Sequence, residues 1–308
     1  MDVEIEKKNG EKILLSEAGA MVKDFIVSSI SLDPSYESHQ GRHGRLDMGA
    51  YYEDRDITVP IFFHAYDLLH FPLMRDKLFS ILNSNEAFYI RELRRPKKMQ
   101  YAFIDVNERS RQKEGTDNVF VGGKRYLVRP ASSFVFEQEE LHGFTEVEFE
   151  TTELPFAESI GTSLELESDG SLQPEIWGHG MGLSFEHDSQ KYTHEVSDGQ
   201  TFHIYNASNV AFPVPFHIDF KIIIESVSGG VDGIRVVNET NNSRITFNGE
   251  LSSSDTLTYD RAQVMLNNLN ALGDADKEFL TLATGWNTLR MERASSAQIA
   301  VDTRFYYK

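Results

Sequence analysis

Apolar and polar positions alternate along much of this chain, and one stretch combines that alternation with a helical period. Arg55, Ile57, Val59, Ile61 and Phe63 occupy alternate positions, with Asp56, Thr58, Pro60 and Phe62 between them, the pattern of an extended segment with one buried face. Phe71, Met74, Leu78 and Ile81 then recur at spacings of three and four, with Leu82 beside them. They share one stripe of a helix while Arg75, Asp76 and Lys77 turn outward. Asn83 to Asn85 is a polar stop, and Ala87 to Leu93 resumes the alternation. Glu53 to Leu93 is therefore read as strand, helix, strand, and the helix needs a sheet to cover.

The rest of the first half reads as β-structure around that unit. Glu4 to Leu15 carries Asn9-Gly10 between two alternating arms, the signature of a hairpin with a type I′ turn. Phe25 to Leu32 is a further strand, and Gly41 to Gly49 is a loop with basic groups. Met99 to Val106 is a strand and Glu108 to Thr116 a charged connection. Val119 to Val128 is a hairpin turning at Gly122-Gly123. Phe134 to Phe136 and Phe144 to Thr151 complete the set; in the latter, Phe144, Glu146, Glu148 and Glu150 alternate with Thr145, Val147, Phe149 and Thr151, as in a strand with one wet face.

Periodicity weakens from Thr152 to about Gln200, where Gly, Ser, Asp, Glu and His accumulate, so the chain divides into 1–152 and 153–308, the second unit opening with this junction. Beyond it, short alternating segments recur at Phe202–Asn206, Phe216–Glu225, Ile234–Asn238, Arg244–Phe247, Leu257–Tyr259, Gln263–Leu266, Phe279–Leu282, Asn287–Glu292 and Gln298–Tyr306. Their spacing near ten residues argues an antiparallel sandwich or jelly roll. The fold class is mainly β with a small α+β part: an N-terminal sandwich-like domain carrying one helix, then a jelly roll.

Composition narrows the function classes. No run approaches eighteen apolar positions, so membrane insertion by a helix is not expected, and Met1 to Leu15 is charged rather than signal-like, the mark of a soluble protein made in the cytoplasm. The chain has no cysteine, which excludes disulfides, thiolate nucleophiles and cysteine-ligated metals. A formal net charge of −18 disfavours nucleic acid and anionic membranes as partners, since both are held mainly by Lys and Arg neutralising phosphate.

The search for chemistry returns no catalytic, cofactor-binding or metal residue. His179, His187, His194 and His203 are spaced eight, seven and nine apart, which fits neither one helical face nor a zinc motif. Gly178 to Gly182 has a glycine-rich look without a Walker lysine or a following helix. Glu186, His187 and Asp188 are adjacent, and neighbours on a strand point to opposite faces. Paired carboxylates for glycoside hydrolysis are not distinguishable in so acidic a chain. The jelly roll raises a carbohydrate-binding or carbohydrate-cleaving alternative, with Trp177, Trp286 or Tyr259 as stacking platforms, although Trp286, following Gly285 at a turn and with an apolar continuation, reads as a core or corner residue rather than a platform. Asn206-Ala-Ser208, Asn238-Glu-Thr240 and Asn241-Asn-Ser243 match a glycosylation pattern and are read as turns.

Particular stretches carry a resemblance. Arg55 to Phe63, the helix end Leu78 to Leu82, Lys124 to Val128, Leu154 to Ser159, Trp177 to Leu183, Val236 to Asn238, Ile245 to Gly249 and Gly285 to Leu289 are similar to stretches of the distal tail proteins (Dit) of siphophages infecting Gram-positive bacteria, over nearly the whole chain. The resemblance implies a non-enzymatic virion protein of the phage tail tip, assembled in the host bacterial cytoplasm. It implies a first domain that forms a homohexameric ring, and a galectin-like second domain facing outward. It further implies partners in the tail tube protein, the tail-associated lysin and receptor-binding or baseplate proteins, and no cofactor. The chain departs from the longest family members in lacking a large inserted sugar-binding module.

Overall fold

The alternating stretch at residues 56–64 forms the longest ladder of the N-terminal half, because its apolar positions and those of residues 142–151 fall on the same face. The computed structural model describes residues 1–94, 122–169, 173, 176–178, 180–183, 190–212 and 214–308. The elements of the first half are β1 (Asp2–Glu6), β2 (Lys12–Leu14), β3 (Ala20–Val22), β4 (Ile26–Val27), β5 (Leu32–Glu37), β6 (Leu46–Tyr52), β7 (Asp56–His64), α1 (His70–Leu82), β8 (Phe88–Leu93), β9 (Lys124–Pro130), β10 (Glu137–Glu139) and β11 (His142–Thr151). Those of the second half are β12 (Ala157–Ser159), α2 (Ser163–Asp169), β13 (Thr193–Ser197), β14 (Thr201–Asn206), β15 (Phe220–Ser228), β16 (Ile234–Asn238), β17 (Ser243–Phe247), β18 (Leu257–Asp260), β19 (Gln263–Leu266), β20 (Leu269–Asn270), β21 (Gly285–Glu292), β22 (Ser296–Thr303) and β23 (Tyr306–Tyr307). The protein is mainly β.

In the first half the strand order is β2-β1-β8-β9-β11-β7-β3, with β10 on β11 and β4 on β7. Val59 lies opposite Val147 and Ile57 opposite Phe149, and both pairs are buried, so one face of the ladder is a continuous apolar surface. The helix covers it. Phe71, Met74, Leu78, Ile81 and Leu82 are its buried side chains, the stripe that the sequence spacing predicts, and the Phe71 ring lies 5.0 Å from that of Phe63. The helix starts where Asp67 Oδ1 accepts the His70 N–H at 2.7 Å, satisfying one of the free donors of its first turn. Gly143 lies opposite Phe63, and a Cβ there would sit 2.3 Å from the Phe63 ring, so the close approach of ring to backbone requires glycine.

Several expected elements differ. The β1–β2 hairpin forms with Ile5 opposite Ile13, but the turn is not type I′. Gly10 has positive φ and Asn9 does not, whereas that turn requires both. Gly10 N–H donates to Lys7 O and Lys7 N–H to Glu11 O, each at 2.9 Å, and the Asn9 side chain accepts from Glu11 N–H. Instead of a full strand from Phe25 to Leu32 there is the two-residue β4, and residues 46–49 of the expected loop belong to β6. Gly122 and Gly123 have no positive φ. A Cβ on Gly122 would lie 2.2 Å from Glu92 O and one on Gly123 2.4 Å from Gly178 N, so they serve close packing rather than a turn. The strand expected at 99–106, the connection at 108–116 and the arm at 119–121 lie outside the described residues. Phe134 to Phe136 is irregular, yet both rings pack on Phe79, at 5.4 and 5.5 Å.

In the second half a six-stranded sheet, β13-β22-β15-β18-β19-β20, faces a four-stranded one, β14-β21-β16-β17. Ile222, Ile224, Leu257, Ile299 and Val301 from the first meet Ile204, Val236, Ile245, Leu289 and Met291 from the second in one buried cluster. Phe279 to Leu282 is not a strand. Leu280 and Leu282 are buried, but Thr281 O is taken by the side-chain amides of Asn238 at 2.8 Å and Asn241 at 3.0 Å, so side chains replace the ladder. α2 and β13 arise in the stretch where periodicity is weakest.

The buried stripe of α1 predicts an asymmetric response to one substitution. Leu78→Ala should cost about 2–5 kcal/mol, the transfer and cavity cost of a packed leucine, whereas Leu73→Ala, on a side chain 67% exposed, should cost within about 0.5 kcal/mol. Lys77 is a poorer control, because its Nζ donates to Ala18 O at 2.8 Å. Urea denaturation of the two leucine variants checks this; equal midpoints would place Leu78 outside the core.

Candidate functional site

The first surface feature is the β5–β6 hairpin, nearly all of whose side chains are exposed. Leu32 is 55% exposed, Tyr36 47%, Met48 60% and Tyr51 76%. Its register runs from Leu32 opposite Tyr52 and shifts between Pro34 and Tyr36; proline has no N–H to give to a ladder, and a bulge accommodates it. Among the described residues its base is the part that packs on the rest of the chain: the Tyr52 ring stands edge-on to Phe156 at 5.5 Å and Lys308 Nζ lies 4.8 Å above it. Arg45 lies over Tyr36 at 4.2 Å nearer the tip. Such a hairpin is marginal alone in water. Tyr66, Leu68, Leu69 and Leu73, leading into and opening α1, are exposed as well.

The second feature is the seam between the two hydrophobic cores. Tyr126 packs against both clusters. β12 pairs with β9 of the first half and with β23 at the chain's end. Arg125, with 10% of its side chain exposed, makes ion pairs with Glu6 at 3.0 Å and Glu158 at 2.8 Å and lies 3.8 Å over the Tyr89 ring. One cation thus joins β1, β8, β9 and β12. Burial pushes the Arg125 guanidinium down, and Glu158, Tyr89 and Glu6 together more than restore it. Burial likewise pushes the Glu158 carboxyl above the usual carboxylate range, against the pull of Arg125 and Arg304. Arg304 extends the network, donating to Asp219 at 2.9 Å and Ser159 O at 3.0 Å.

The third feature is the outer face of β14 and β21. Tyr205 lies opposite Trp286 and His203 opposite Thr288. Trp286 is 51% exposed; its ring lies 5.0 Å from that of Tyr205, whose hydroxyl donates to Gly182 O at 3.0 Å. His203 Nδ1 and Thr288 Oγ1 are 3.2 Å apart. With Lys191, His194, Glu195 and Gln200 they line an open cleft of about 610 Å³.

The residues singled out from sequence separate on this frame. Trp177 and Tyr259 are buried, Trp177 against Phe305 at 6.2 Å, so neither is a stacking platform; of the three, Trp286 is placed for that role, and its exposure overturns its reading as a core or corner residue, because it stands on the outward face of β21. His194 Nε2 lies 3.1 Å from Lys191 O and, with His203, borders the cleft; His179, His187 and the Glu186–Asp188 run lie outside the described residues. Among the described residues no group of three or more His, Cys, Asp or Glu could hold a metal ion. The three asparagines do form turns: Asn206, Asn238 and Asn241 each accept from the N–H two residues on, at 3.0–3.1 Å. Sequence reading missed the hairpin; the alternation of Leu32–Tyr36 and Met48–Tyr52 on either side of the basic loop signals its strands but not their exposure.

Comparison with known proteins bears on the whole frame. Residues 8–121 match the phage tail protein RIFT-related domain. No curated protein matches the chain. Among solved structures, the Dit protein of phage SPP1, described as a paradigm of the hub adsorption apparatus in phages infecting Gram-positive bacteria, matches over 98% of this chain and 99% of its own, with a TM-score of 0.60 and 10% identity. A chain of the phage P2 baseplate in its activated, calcium-containing conformation covers 98% of this chain and 97% of its own at 7% identity. Its TM-score of 0.39 adds nothing to the fold assignment. The likeness to the SPP1 protein is one of fold, and it spans both cores.

The seam network predicts that Arg125→Ala destabilises the protein by about 3–5 kcal/mol, because it leaves Glu158 buried without its cation. Glu158→Gln, which keeps a hydrogen-bond acceptor for Arg125, should cost less. Chemical denaturation ranks the two; an Arg125→Ala midpoint at the wild-type position would remove the seam from the stability of the fold.

Proposed function

We propose, from the premise that this chain shares the fold of the siphophage distal tail proteins and carries a phage tail RIFT-related domain, that it is a structural hub of a phage tail tip. The observation that carries the reading is the β5–β6 hairpin inside the matched region, which presents Leu32 and Met48 to solvent on one face and Tyr51 on the other. An apolar surface of that kind calls for a neighbouring molecule. A second copy is the simplest neighbour, since a head-to-tail contact repeats around an axis and closes into a ring when its rotation permits. Six is the number that the family resemblance implies. The ring would sit between the tail tube and the tail-associated lysin, in the virion after assembly in the host cytoplasm, with the outward domain offered to receptor-binding or baseplate proteins. The role is non-enzymatic.

Charge sets the conditions for such a ring. Six copies carry 6 × (−18) = −108 formal charges, so DNA phosphates gain nothing by approaching it. Repulsion between copies reaches roughly 10 Å at about 0.1 M salt and further in dilute buffer. We further propose that 1–152 and 153–308 are separate folding units, supported by the two core clusters.

Light scattering after size exclusion tests assembly. The mass should rise with concentration from 35.1 kDa towards 6 × 35.1 = 210.6 kDa, more readily at moderate than at low salt, with no retention of a short DNA duplex. Met48→Asp with Tyr51→Asp should hold the protein monomeric at an unchanged denaturation midpoint. A monomer at every concentration and salt would count against self-assembly, and tight, salt-sensitive duplex binding would sink the passive-channel reading. Limited proteolysis tests the units: primary cuts should fall between Thr152 and Gln200, and cuts within Glu53 to Leu93 or Ile234 to Leu289 would argue against the division.

A further inference from the structure

We infer that the cleft on the outer face of β14 and β21 is a binding site for a neutral, hexose-based oligosaccharide, with Trp286 as its stacking platform. A sugar ring has an apolar face of C–H groups and a rim of hydroxyls, so its site combines an exposed aromatic ring with nearby donors and acceptors. The cleft has that composition. Trp286 is half-exposed while the other tryptophan, Trp177, is buried in the core. A large apolar side chain on the wet face of a strand, between the inward-facing Asn287 and the turn glycine Gly285, contributes nothing to the sandwich core.

The platform is held rigid. The Tyr205 ring braces one side of Trp286 at 5.0 Å and is itself tied through its hydroxyl to Gly182 O. The turn at 198–200 is fastened to β21 and to the turn after it: Gly199 N–H donates to Met291 O at 2.9 Å and Asp198 N–H to Ser295 O at 3.1 Å. A rigid site avoids part of the ordering cost of binding.

The polar rim points to a neutral ligand. Lys191 and Glu195 both line the cleft, one of each charge, and among the described residues neither side chain has an ion-pair partner. Neither a polyanion nor a polycation is favoured by such a rim, whereas hydroxyls can accept from the ammonium and donate to the carboxylate. His203, held at Nδ1 by Thr288, keeps its Nε2 as a further donor or acceptor. The cleft's size, about 610 Å³, lies within the roughly 300–1,000 Å³ of small-ligand sites.

Isothermal titration calorimetry on the full chain tests the site, with two probes: a panel of free neutral hexoses and N-acetylhexosamines, and a purified neutral bacterial cell-wall polysaccharide. Saturable binding of either probe is expected, and which of them binds separates a free sugar from a wall polymer. Trp286→Ala should weaken that binding by about tenfold or more, while Trp286→Phe, which keeps a ring, should retain most of it. Quenching of the exposed tryptophan's fluorescence in the wild-type protein is the independent signature. Should Trp286→Ala fail to fold, His203→Ala carries the same expectation of weakened binding. Absence of saturable binding with both probes, or wild-type affinity in a folded Trp286→Ala, overturns the site. Neither outcome bears on the ring, which is read by mass.

Discussion

The nine-pair ladder between β7 and β11 constrains everything in the N-terminal half, because its two strands commit the same face to apolar side chains and leave a surface that water cannot cover cheaply. Burying Ile57, Val59, Ile61 and Phe63 together with Val147 and Phe149 removes enough apolar area to fix both register and cover, since a one-residue slip would turn the whole set to solvent. The helix supplies that cover, and its own stripe has no other surface to meet. The polar face of the same ladder, with Glu146, Glu148 and Glu150 exposed, then has to remain wet. The acidity of the chain is in this sense distributed by the pleat.

A second constraint acts where the two cores meet. Strand β12 takes hydrogen bonds from β9 on one side and β23 on the other, so the end of the chain returns to the seam. Arg125 and Arg304 satisfy the carboxylates and carbonyls that this crossing would otherwise leave buried and unpaired. A connection built this way sets the orientation of the second sandwich relative to the first, and with it the direction in which the outer face of β14 and β21 points.

How much was legible beforehand depends on the range of the interaction concerned. The helix stripe, the β7 and β11 alternation and most strands of the sandwich follow from local periodicity, and the structure places them within a few residues of the expected positions. Asn9-Gly10 does not by itself fix the turn, because the same dipeptide serves two turn geometries and only the pairing across the hairpin selects one. Phe279 to Leu282 read as a strand because alternate burial is what a strand and a side-chain-capped extended loop have in common. The apolar faces of the Leu32–Glu37 and Leu46–Tyr52 strands carry the same alternation as buried ones, and nothing local marks them as uncovered.

The sequence by itself determined the class of fold, the helix and its covered face and the absence of cysteine chemistry, since each depends on residue type or period alone. Only the tertiary structure decided which aromatics are available to a partner. Trp177 and Trp286 are equally apolar and both flanked by glycine, yet one lies against Phe305 and the other faces solvent beside Tyr205. Exposure is a property of what packs on a residue from distant parts of the chain, and no local pattern carries that information.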